Sequence, residues 1–183
     1  MRALLLLASL LLFAGCRSTG GFAAPRPSLS IDQANGVVVA SSAPVIVRQL
    51  HITDILYKQS ISSMAIIACG SGVRCIESNV TWTFSSSSKE FVYLRGDQRL
   101  YVTVGEARGS DPMEYSNDVS LSGVTETLTL TLPFRAFKHI AEAPNVSGSL
   151  GSTELNLSYE RRDAFRQFVR AVERADSTLA LRR

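Results

Sequence analysis

Histidine and tryptophan are nearly absent from this chain, two of one and one of the other in 183 residues, and cysteine and methionine number three each. Two cysteines, Cys69 and Cys75, with the distant His51 and His139 are too few ligands for a zinc-type centre, so neither a metal nor a cofactor is expected. The tight Cys-x-x-Cys spacing of redox-active thiols is missing. No Gly-x-Ser-x-Gly surrounds any serine, which removes the strained strand-to-helix elbow that exposes a serine nucleophile. Charge of one sign is lacking too: 19 Lys and Arg stand against 16 Asp and Glu, a net of +3. So mild a balance excludes a phosphate-tracking surface, and no nucleic-acid partner is expected. No apolar run is long enough to span a bilayer core of roughly 30 Å as a helix.

What is there begins with the longest apolar run, residues 3–15 behind the single charge Arg2, which has the form of a signal-peptide core. It stops at Phe13-Ala14-Gly15-Cys16, small residues directly before a cysteine. This resembles the lipobox of bacterial lipoproteins, with Phe13 standing where leucine is commonest. The resemblance implies that the leader 1–15 is removed, that Cys16 carries a diacylglyceryl group on sulfur, and that its new amino group is acylated. Two or more chains, each adding about 0.8 kcal/mol per buried methylene, hold a protein to a membrane with nothing required from the folded part. Arg17 stands where an Asp would signal inner-membrane retention, so the resemblance implies an outer-membrane address over an inner one. Lipidation of Cys16 leaves Cys69 and Cys75 as an even pair, free to close on each other as exported proteins tend to do.

Residues 16–30, rich in Gly, Pro, Ser and Ala, read as a flexible tether, and residues 31–183 as a single β-rich domain. Strand-like runs occur at 37–40, 44–52, 64–69, 79–84, 91–94 and 99–104, rich in β-branched and aromatic residues. In Val80-Thr81-Trp82-Thr83-Phe84 and in residues 127–132 every second residue is apolar, which places threonines on one face and the apolar set on the other. Pro133 can open a short helix over 134–141. Phe165, Phe168, Val169 and Val172 repeat at three and four in a C-terminal amphipathic helix, with Ser158 as a candidate N-cap. The expected class is mainly β (α+β): an antiparallel β-sandwich-like domain with these two helices. Trp82 falls on the apolar side of its run and belongs to the core, near Phe165 or Phe168.

Candidate sites are sparse. Cys69 and Cys75 flank a glycine-containing turn, where a disulfide would staple a hairpin base. Arg95, Gly96 and Asp97 form an RGD tripeptide between two strand-like runs; it resembles an integrin-binding signal, and Gly and Asp also serve a turn's own geometry. Arg162, Arg166, Arg170 and Arg174 step by four beside Glu160, Asp163, Glu173 and Asp176. Such a stripe either meets an anionic membrane surface or forms a solvated face with internal ion pairs. Residues 85–88 read as a polar serine loop, and residues 105–111 as a loop whose Glu106 and Asp111 could serve an assembled hydrolase site. Lone histidines are more often surface or hydrogen-bonded core residues than catalytic bases. The expectation is a membrane-anchored, non-catalytic binding or scaffolding protein of the bacterial envelope, with an envelope protein as candidate partner. An envelope hydrolase and an RGD adhesin are the alternatives.

Overall fold

Two stretches of strict alternation build the centre of the fold. The computed structural model describes residues 26–32, 37–51, 58–70, 73–89, 94 and 98–180. The first sheet contains β1 (Ser28–Asp32), β2 (Val37–Ser41), β3 (Val45–His51), β4 (Lys58–Cys69), β5 (Asn79–Ser88), β8 (Glu114–Ser120) and β9 (Gly123–Pro133). The second contains β6 (Arg99–Val104), β7 (Ala107–Pro112), β10 (Val146–Leu150) and β11 (Thr153–Leu155). Helix α1 (Phe134–Glu142) follows β9, and α2 (Asp163–Ala180) closes the described chain. The class is that expected: mainly β, two antiparallel sheets and two helices in a sandwich-like arrangement.

In the first sheet the order is β1-β2-β4-β5-β9-β8, with β3 on the remaining half of β4. Strands β2 and β3 thus share one edge of β4, and the break between them falls at residues 42–44, where Pro44 has no N–H to offer. Ser42 bridges the gap: its N–H donates to the Ala65 carbonyl and its Oγ accepts from the Ala65 N–H. A bulge at Val47 then turns that residue's carbonyl out of the ladder to accept the Asn156 N–H, which ties the sheet to the segment after β11.

Register places Trp82 opposite Leu130 and Phe84 opposite Leu128, all facing inward. Both helices cover this face. Trp82 meets Phe137 and Phe165 edge-on at 5.5 and 5.8 Å, and Phe137 meets Phe168 likewise at 5.7 Å, a geometry the ring quadrupole favours. The indole N–H donates to Ser63 Oγ at 2.6 Å, so the ring is buried without an orphaned donor. The second sheet contributes Leu100, Leu150 and Leu155 to the same apolar cluster. Outward, Thr81, Thr83, Ser85 and Ser87 of β5 stand beside Thr131, Thr129, Thr127 and Thr125 of β9, a band of hydroxyls bordered on β8 by Glu114 and Asp118. Such alternation is what β-branched threonine suits.

Several expectations are corrected. Residues 85–88 are strand, because pairing with residues 124–127 of β9 continues through Ser88 and outweighs the weak strand preference of serine. Residues 105–111 are not a loop: a two-residue turn with positive φ at Gly105 leads directly into β7. Residues 28–30 belong to β1 rather than to a tether. Ser158 does not cap α2, which starts five residues later; its Oγ accepts the Arg161 N–H within the preceding turn.

Candidate functional site

The sequence-predicted residues separate. Cys16 and the triplet Arg95, Gly96 and Asp97 lie outside the described residues. Cys69 and Cys75 are joined, both buried, with Cα atoms 5.2 Å apart. The short helical turn Cys75–Glu77 that follows is fastened to α2, since buried Asp176 accepts the Cys75 N–H at 2.7 Å and the Arg74 guanidinium at 3.0 Å. His51 ends β3, and His139 is exposed on α1. Glu106 and Asp111 are both exposed at the β6–β7 hairpin. Among the described residues no group of three or more His, Cys, Asp and Glu is placed to hold a metal ion, and no helix is long and apolar enough to cross a membrane.

The arginine stripe is divided. Arg170 and Arg174 are exposed on α2, whereas Arg162 and Arg166 are buried and face the protein rather than a membrane surface. The physical reason is local: α2 begins at Asp163, so Arg162 sits in the turn before it, where its side chain reaches the end of α1. Its Nε donates to the Leu157 carbonyl at 2.7 Å, Nη1 to Ile140 and to Ala141 at 2.9 Å, and Nη2 to Ala143 at 2.7 Å and Pro144 at 3.5 Å. A helix leaves its last carbonyls without intrahelical partners, and they carry the negative end of the macrodipole. One guanidinium therefore caps α1. Burial, and then the neighbouring Arg166 charge, hold the Arg162 guanidinium below its ordinary pKa.

Arg166 packs its guanidinium 3.7 Å from the ring centroid of Tyr159 and donates to that residue's carbonyl and to Asp163. This cation–π contact fixes a ring that is 46% exposed. Beside it runs an open groove of about 380 Å³, lined by Thr103 and Gly105 at the end of β6, residues 144–147 leading from α1 into the start of β10, and residues 158–160 before α2. Comparison with known proteins adds no relative. No family model, curated protein or solved structure matches this chain. The groove was not legible in the sequence because its walls come from three segments, none with a motif of its own. The period-four arginines were the nearest signal, since Arg166 and Arg162 lie 3.7 and 5.9 Å from the centre of the Tyr159 ring.

The remaining buried charges are bonded as well. Glu126, fully buried on β9, accepts from Tyr115 Oη at 3.0 Å, and no buried side-chain nitrogen or oxygen among the described residues lacks a hydrogen-bond partner. Lys138 on α1 pairs across the helices with Glu173 of α2 and, more loosely, within α1 with Glu142 at 3.9 Å. That hydrogen bond with Glu173 raises the Lys138 pKa above its ordinary value, against a smaller opposing effect of burial.

Proposed function

We propose that this protein is a lipoprotein of the bacterial cell envelope, anchored through lipid on Cys16, whose β-rich domain binds a ligand or partner at the membrane surface without catalysing a reaction. The observation that carries the anchor is the cysteine that closes the apolar run 3–15 immediately after Ala14 and Gly15. Acyl chains provide membrane affinity by themselves, so the domain needs no membrane-binding face of its own. Supporting the binding role, the buried ionisable groups Arg162, Arg166, Asp176 and Glu126 are engaged in bonds that hold elements together. The open surface instead offers a groove lined mainly by uncharged polar residues, with Glu160 its one ionisable carboxylate, and a band of hydroxyls on β5 and β9. An outer-membrane location and an envelope protein as partner complete the proposal.

The test is metabolic labelling with palmitate, followed by membrane fractionation. Wild-type protein takes up label and sediments with the outer membrane, and Cys16→Ser removes the label and releases the protein. A Cys16→Ser variant that still sediments with membranes, or an unlabelled wild type, overturns the anchor. Crosslinking in living cells that returns no envelope partner overturns that part of the reading.

A further inference from the structure

We infer that the groove beside Tyr159 is a binding site for a neutral oligosaccharide. The inference names the ligand class of the binding role proposed above and rests on that role, but not on the lipid anchor. Shape comes first: about 380 Å³ lies within the range of roughly 300 to 1,000 Å³ typical of small-ligand sites, and the groove is open, as a chain-like ligand with both ends in solvent requires.

The lining then selects the chemistry. Thr103, Asn145, Ser147 and Ser158 present uncharged donors and acceptors, Glu160 adds one carboxylate, and no lysine or arginine lines the groove. Phosphate or carboxylate ligands, which recruit arginine or lysine, are disfavoured beside Glu160. Purely apolar ligands would leave those polar groups desolvated. A polyhydroxylated neutral ligand satisfies both conditions, because each hydroxyl donates and accepts. The Thr103, Asn145 and Ser147 side chains make no hydrogen bond within the described structure, so their bonding capacity is available to a ligand.

Tyr159 supplies the remaining element. Sugar rings carry a face of C–H groups that stacks on an aromatic ring, and this ring is already immobilised, with the Arg166 guanidinium over it. Arg166 is itself held by Asp163 and the Tyr159 carbonyl, so little side-chain freedom is left to lose when a sugar binds. The walls are likewise tied, since the Gly105 N–H donates to the Asn145 carbonyl at 3.1 Å.

The experiment uses the full-length protein in detergent, titrated calorimetrically with two sets of probes. One set is β-1,4-linked N-acetylhexosamine oligomers of the cell-wall type; the other is neutral hexose oligosaccharides of the glycolipid type. Binding in one arm alone identifies the source, and binding in either supports the site. Tyr159→Ala is expected to weaken binding about tenfold, Tyr159→Phe to leave it within about twofold, and Asn145→Ala to weaken it by an intermediate factor. Asn145→Ala touches no internal side-chain bond, so it remains decisive if Tyr159→Ala fails to fold. Absence of binding in both arms, or binding undiminished in Tyr159→Ala and Asn145→Ala, overturns the inference. Palmitate labelling of Cys16 reads the anchor separately, and envelope crosslinking reads the binding role, so failure here with those intact removes only the saccharide.

Discussion

Replacing Arg162 with methionine keeps a side chain of similar reach and removes every N–H donor that binds the end of α1. Three carbonyls lose well-formed bonds, those of Ala141 at 2.9 Å, Ala143 at 2.7 Å and Leu157 at 2.7 Å. A buried acceptor left without its partner costs about 1 to 3 kcal/mol. Removing a desolvated charge works in the opposite direction, and swapping a whole buried ionic group for apolar residues is often neutral. Here only one side of the arrangement is replaced, because the carbonyls belong to the backbone and stay. The net loss is therefore set near 3 kcal/mol, a large part of the roughly 5 to 15 kcal/mol that holds a domain folded. In a chain of this size that lowers Tm by about 6 to 12 °C. Urea unfolding followed by far-UV dichroism and Trp82 emission measures it. Arg162→Lys should lose about half as much, since one ammonium offers three donors from a single point and cannot serve both sides. A methionine variant within about 0.5 kcal/mol of wild type would refute the capping role, as surface substitutions commonly fall in that band.

Reducing or replacing both Cys69 and Cys75 with serine should lower stability by about 2 kcal/mol, the chain-entropy value for so short a loop, in the same urea assay. Gly123→Ala should destabilise by at least about 2 kcal/mol, because φ is +142° there and a Cβ would stand 2.3 Å from the Ser88 carbonyl oxygen; a near-neutral result would contradict that packing. Trp82 emission should be blue-shifted and nearly immune to iodide, and ready quenching would remove it from the core. Lys138→Met should lose no more than about 1 kcal/mol, because both ends of its ion pairs are partly exposed. The sign with pH is fixed by the raised lysine pKa: the pair stabilises at neutral pH and is lost as pH climbs through that raised value, a decline the methionine variant should not show.

Strands β5 and β9 were legible because each buries one face and wets the other, so burial writes a period of two into the residues themselves. Strands β7 and β8 were not. Lying at sheet edges with nearly every residue exposed, they carry no alternation, and Arg108, Asp111, Glu114 and Asp118 guard those edges instead of advertising them. The arginine spacing was visible, yet its meaning depended on where α2 starts, and a shift of five residues from Ser158 to Asp163 moved Arg162 from a helix face into the interior. For the groove, the decisive fact is that Thr103, Asn145 and Tyr159, from three separate segments, line one concavity. Nothing local to any of the three residues encodes that meeting.

The buried cysteine pair has a kinetic consequence through Asp176. Its two sulfur-bearing residues are nearly sealed from solvent, and the Cys75 backbone is held by a carboxylate 101 residues further along the chain. Lifting α2 from the turn at Cys75–Glu77 breaks that hydrogen bond and loosens the packing beside the pair, so weakening the helix contact, as in Asp176→Asn, should speed reduction of the disulfide. Burial thus couples the accessibility of this bond to local opening of the packing around it, over and above the sulfur chemistry itself.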